Sequence, residues 1–196
     1  MQFYKVGEVR PPLLSDFEYF TQLVNSEDGG WKQHYNKHHT VVSSRCQNNS
    51  EIKLIRLKCV LSDVSASVLY DVIHDPKYRS DWDKIMIEGY SIGQVSPDSD
   101  IGYYSLKAPL AFANRDYVTQ RAWVAAQDVY IIFNHSVFHK DIPPKKSFVR
   151  GISYITGYFI RAIDSSSCEM IYITQNDPRG DNLSYFTELL SNLFIV

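Results

Sequence analysis

Ten segments with strand character run through the middle of this chain, with helical stretches at both ends. They fall at residues 31–35, 40–45, 52–61, 85–96, 101–106, 116–125, 129–138, 148–155, 158–163 and 169–175. Turn signals punctuate them, among them Pro97-Asp98, Asn114, Pro143-Pro144, Gly157 and Asp164-Ser165. Residues 52–61 alternate best: Ile55, Leu57, Cys59 and Leu61 share one face, and Arg56 and Lys58 the other. Strands in this number, with helices at the ends and in one insert, predict an α+β domain built on one antiparallel sheet. At 196 residues the chain makes one domain with a sizeable core. That domain spans residues 15–196, behind an extended arm over 1–14 that carries Pro11-Pro12. Ser15 and Glu18 have capping-box spacing and open a helix over 16–24, with Phe17, Phe20, Leu23 and Val24 on its buried face. Phe186, Leu189, Leu190 and Leu193 recur at helical spacing in a short closing helix over 184–194.

The insert at residues 69–83 reads L-Y-D-V-I-H-D-P-K-Y-R-S-D-W-D. It predicts two short helices meeting at Asp75-Pro76, where Asp caps and Pro takes the first helical position. Arg79 and Asp83 stand four residues apart on one face, beside Tyr78 and Trp82. Spacing alone fits a surface ion pair next to core aromatics, or the polar floor of an apolar-walled pocket.

Composition narrows the function. A net charge of -2 disfavours nucleic-acid binding, which needs concentrated positive charge, and, a local patch aside, strong standing attraction to anionic membranes. Cys46, Cys59 and Cys168 have neither paired nor metal-type spacing and fit free thiols in a reducing compartment. The start of the chain lacks the apolar core of a signal peptide, and no apolar run has membrane-spanning length. A cytoplasmic protein is expected. Signatures for a nucleophile elbow, a phosphate loop and a dinucleotide fold are absent. His34, His38 and His39 lack a nearby Cys or carboxylate partner, and His74 and His135 belong to no visible triad. No catalytic residue, metal or cofactor is expected.

Three blocks in order carry a family likeness: D-P-K-Y-R-S-D-W-D, then I-G-Y-Y-S-L-K-A-P-L-A-F-A-N-R-D-Y-V, then V-R-G-I-S-Y-I-T-G-Y with D-P-R-G beyond it. Together they resemble the START domain, the StAR-related lipid-transfer family, and its phospholipid-carrying branch in particular. The resemblance implies a helix-grip fold, in which a curved antiparallel sheet wraps a C-terminal helix around an internal lipid tunnel. It also implies a carrier of one glycerophospholipid, phosphatidylcholine and also phosphatidylethanolamine, that touches membranes transiently. Such a carrier must enclose its ligand, because each methylene left in water costs about 0.8 kcal/mol and two acyl chains on the order of 25 kcal/mol.

By the same resemblance, Arg79 grips the phosphate, Asp83 orients the guanidinium, and Thr156 offers a hydroxyl where the family pattern has glutamine. Ile73 stands where the pattern has a phosphate-contacting tyrosine. Tyr104, Tyr117 and Tyr154 match a cage that receives a quaternary amine on aromatic faces, with Tyr104 replacing a tryptophan. Each tyrosine alone also fits cross-strand packing. Leu110 and Phe112, on the loop after residue 106, and Phe186 and Leu190 on the closing helix are the expected membrane contacts. Alternatives left open are a sterol or fatty-acid sensor, a lipid-ester enzyme on the same fold, and a START-derived protein-interaction module.

Overall fold

The computed structural model describes residues 3–27, 29–46, 50–109 and 112–180. Within them, ten strands join in one sheet: β1 (Lys32–Lys37), β2 (Thr40–Arg45), β3 (Leu54–Leu61), β4 (Met86–Ser96), β5 (Ser99–Leu106), β6 (Asn114–Ala126), β7 (Val129–Ser136), β8 (Phe148–Arg150), β9 (Ile152–Ala162) and β10 (Cys168–Asp177). Nine run in the order β1-β2-β3-β10-β9-β7-β6-β5-β4, each antiparallel to its neighbours. β8 lies beside the first residues of β6, parallel to it. Irregular register between β4 and β5, and again between β9 and β10, adds the local twist that curves a large sheet.

Helix α1 (Leu14–Asn25) covers one face. Phe20, Leu23 and Val24 pack there with Leu54, Ile131, Phe133, Ile155, Phe159, Ile171 and Ile173. The helix begins two residues earlier than Ser15 and Glu18 predict, because Asp16 does the capping. Its Oδ2 accepts from the Leu13 amide at 2.7 Å, and its carboxylate takes both Nη groups of Arg10 at 2.7 and 2.8 Å. The arm before it is tied down by this pair and by Gln120, which accepts from the Arg10 amide and donates to its carbonyl.

Helices α2 (Ala66–His74) and α3 (Arg79–Trp82) sit over the opposite face. Ser65 caps α2, accepting from the Val68 amide, and the Asp75 side chain accepts from the Lys77 amide at the turn into α3. Ala66 of α2 packs with Ile160 and Cys168, and its neighbours Leu69, Tyr70 and Ile73 complete the contact.

Two expectations change. Residues 148–155 and 158–163 are not two strands broken at Gly157: Phe148–Arg150 pairs separately with β6, and Ile152–Ala162 runs unbroken through Gly157. A side chain at 157 would collide with the Ile132 carbonyl and with Phe133 on β7, so this glycine marks a close approach of strands and not a turn. Arg56, placed on a solvated face by alternation, is 6% exposed. Its Nη1 bonds the Val24 and Ser26 carbonyls at the end of α1, and its guanidinium stacks 4.0 Å from the Trp31 ring centroid. The predicted closing helix, with Phe186 and Leu190, lies outside the described residues.

Candidate functional site

Between α2, α3 and the inner face of the sheet lies a cavity of about 200 Å³, counted as the space water centres could occupy. Strand alternation selects its walls. Tyr104 of β5, Tyr117 and Thr119 of β6, Ile132 and Asn134 of β7, Thr156 and Tyr158 of β9, and Tyr172 of β10 all turn toward it. Ile73, Arg79 and Trp82 close it from the helical side.

Arg79 is fixed by its own helix turn. Its Nε and Nη2 both donate to one oxygen, Asp83 Oδ2, at 3.1 and 2.9 Å. Its guanidinium lies 4.6 Å from the Tyr104 ring centroid. Among the described residues nothing accepts from Nη1, and the Arg79 side chain keeps 30% of its surface open on the cavity wall. Burial pulls against the charge, but the Asp83 carboxylate opposes it and the guanidinium stays ionised. The arrangement presents a cation with unspent donors to an otherwise low-polarity space, which suits an oxyanion such as phosphate.

Tyrosines line the rest in two pairs. Tyr104 and Tyr117 stack with centroids 5.0 Å apart and planes 18° from parallel. Tyr158 and Tyr172, opposite each other on β9 and β10, meet at 4.9 Å and 42°. Burial drives the pKa of all four upward, so each stays a neutral phenol offering a ring face and a hydroxyl.

The predicted cage is only partly assembled. Tyr104 and Tyr117 face the cavity together, whereas Tyr154 does not line it and is 39% exposed. The cause is a bulge: Ile155 pairs with Gln175 and Ser153 with Asn176, leaving Tyr154 as the extra residue and turning it outward. Tyr158 and Tyr172 were missed by sequence reasoning, though residues 156, 158 and 160 share a face by simple alternation. Thr156 does reach the cavity, but its hydroxyl is already engaged with Ser153 at 3.1 Å and Thr174 at 2.9 Å. Phe112 is half-buried, its amide bonded to the Pro109 carbonyl; Leu110 lies outside the described residues.

A second ion pair on the wall was also missed. Arg121 of β6 faces Asp100 of β5 across the ladder, with bonds of 3.1 and 2.7 Å, and its Nη1 caps α2 at the His74 carbonyl, 2.6 Å away. Arg115, at the start of β6, is 4% exposed and grips the carbonyls of Ala113, Pro178 and Arg179. Among the described residues there is no cluster of three or more His, Cys, Asp or Glu suited to a metal, and no helix is long and apolar enough to cross a membrane.

Known proteins share this geometry. The START domain family model matches residues 17–193. START domain-containing protein 10 of Mus musculus is 38% identical over 174 residues, 88% of this chain and 59% of that protein. Phosphatidylcholine transfer protein of Mus musculus is 30% identical over 125 residues, 62% of this chain and 58% of that protein. A shorter match to acetyl-coenzyme A thioesterase of Rattus norvegicus, 31% identical, covers 56% of this chain and 20% of the enzyme. The crystal structure of human STARD10 superposes with a TM-score of 0.88 at 34% identity, covering 95% of this chain and 76% of that one. The chain thus spans about 59% of the length of the relatives it matches best among these. With its sheet, its cavity and a family match over most of its length, this chain belongs to the START domain family.

Proposed function

We propose that the chain is a non-catalytic carrier that holds one zwitterionic glycerophospholipid, phosphatidylcholine or phosphatidylethanolamine, in this cavity and exchanges it between membranes in the cytoplasm. The observation that carries this reading is Arg79: a charged fork on the cavity wall, anchored by one Asp83 oxygen, with donors left over among aromatic rings. The lipid phosphate would take those donors. The amine would lie against the stacked Tyr104 and Tyr117 faces, with Tyr158 and Tyr172 supplying the further rings that Tyr154 does not. Thr156 would serve the polar wall and not the phosphate directly. The names of the relatives, a phosphatidylcholine transfer protein among them, support the ligand class. The thioesterase match is shorter and covers only a fifth of that enzyme's length. Phe112 is the membrane contact proposed within the described residues.

The test is native mass spectrometry of the protein after incubation with mixed liposomes. A single bound phosphatidylcholine or phosphatidylethanolamine, absent from an Arg79→Met/Asp83→Leu variant that still melts cooperatively, is the expected result. A sterol in place of phospholipid, or phospholipid retained by the variant, overturns the assignment.

A further inference from the structure

A row of polar side chains crosses the inner face of the sheet. Asp100, Arg121, Asn134, Thr156 and Thr174 stand opposite one another in turn on β5, β6, β7, β9 and β10, and residues paired in this way share a face. The next row along the strands is apolar and aromatic: Ile132, Tyr158, Tyr172 and Leu57. Hydrocarbon chains alone would be better served by more rows of that second kind, since a buried polar group without a partner is costly.

Most of the polar row satisfies itself. Arg121 is spent on Asp100 and on the His74 carbonyl. Thr156 Oγ1 lies 2.9 Å from Thr174 Oγ1, and Asn176 Nδ2 donates to the same Thr174 oxygen at 2.8 Å. Asn134 is the exception. Its Oδ1 accepts from Ser153 Oγ at 3.2 Å, which orients the amide, but among the described residues nothing accepts from its Nδ2. Asn134 is half-buried and lines the cavity. An amide nitrogen with two unspent protons therefore belongs to a wall that a bound lipid would dry out.

The row lies near the Arg79 fork. The Arg79 charge acts on both Tyr104 and Tyr158, and Tyr158 is two residues beyond Thr156 on β9, about 7 Å along a strand. In a glycerophospholipid only the glycerol backbone separates the phosphate from the ester carbonyls, so a phosphate held at Arg79 brings a carbonyl oxygen toward this row. We propose that Asn134 Nδ2 donates to an acyl-ester carbonyl of the bound lipid and makes the cavity select ester-linked over ether-linked phospholipid. The proposal rests on the carrier reading, with Arg79 as the phosphate site. An ether-linked chain has a methylene where the carbonyl would be and buries the amide unpaired. A buried donor left without its acceptor weakens binding about tenfold.

The experiment offers the full chain vesicles holding equal amounts of diester and diether phosphatidylcholine with matched chains, and reads the two bound lipids by native mass spectrometry. The expected result is about ten diester molecules bound for each diether molecule in the wild type, and a ratio near one in Asn134→Leu, a substitution of similar size. A ratio near one in the wild type overturns the proposal by itself, whether or not the variant folds, and leaves the carrier reading standing. A tenfold preference kept by Asn134→Leu also overturns it. A wild-type protein that takes up neither lipid overturns the carrier reading and this proposal with it.

Discussion

Gly151 lies against the ring of Tyr117: a Cβ at residue 151 would overlap Cε1, Cζ and the hydroxyl of that tyrosine. The two are held there by the Gly151 amide, which donates to the Asp116 carbonyl one residue before Tyr117. The position of the stacked Tyr104–Tyr117 pair thus depends on a missing methyl group. Gly151→Ala should push Tyr117 off its stack, costing about 1–3 kcal/mol as overpacking does and lowering phosphatidylcholine uptake at least severalfold. Thermal unfolding and uptake of a fluorescent phosphatidylcholine would register the two effects. Unchanged uptake would mean that Tyr117 does not touch the ligand.

Arg79 and Asp83 separate stability from binding. Removing the arginine alone leaves a carboxylate that is 12% exposed without its cation, an arrangement that costs about 3–5 kcal/mol when fully buried and less here. Replacing both by apolar residues removes both charges and is often neutral. Arg79→Met should therefore lower the melting temperature, and Arg79→Met/Asp83→Leu should recover most of that loss. Neither variant should extract phospholipid from liposomes.

Acidity should weaken the fold through two histidines. His135 is 1% exposed; its Nε2 is 2.8 Å from the Glu8 carbonyl oxygen, its Nδ1 has no partner among the described residues, and it stacks on Tyr4. Burial lowers its pKa, with Glu8 opposing, and burial followed by Arg121 lowers that of His74. Both are neutral in the fold and protonate more readily once unfolded. Stability is then full above the unfolded value near 6.5 and falls as pH drops from there toward the folded values. Glu8 and Glu27, whose pKa values are lowered chiefly by hydrogen bonds from the Lys5 amide and from Lys58, add losses only at lower pH. Melting temperatures between pH 7 and 5 should decline, and more gently in His135→Gln. A flat profile for the wild type would contradict this assignment.

Arg115 should prove structural. Three backbone carbonyls from two distant segments share its guanidinium, and a hydrogen bond to a charged group contributes about 1.5–3 kcal/mol. Arg115→Met should cost about 2–3 kcal/mol in urea denaturation. Lysine should not restore it, since one ammonium cannot span the same fork.

Strand content and the Arg79–Asp83 pair were readable because each is a local matter: alternation of period two, and side chains four apart on one turn. What failed depended on partners far along the chain. Arg56 looked solvated until α1 and Trp31 covered it, and Gly157 looked like a turn until β7 came within contact of it. Tyr154 fell out of phase because its neighbour strand lacks a matching residue, an event invisible in either strand alone. Arg121 and Asp100, separated by twenty residues, become a pair only through the β5–β6 register.

The family match begins at residue 17, but the packing begins earlier. Phe3 and Tyr4 lie on Phe133 and His135, and Arg10 locks onto Asp16 and Gln120. A fragment trimmed to the family boundary would strip this aromatic cover from the outer sheet. Such a fragment should aggregate or need detergent, while one starting at residue 3 stays soluble.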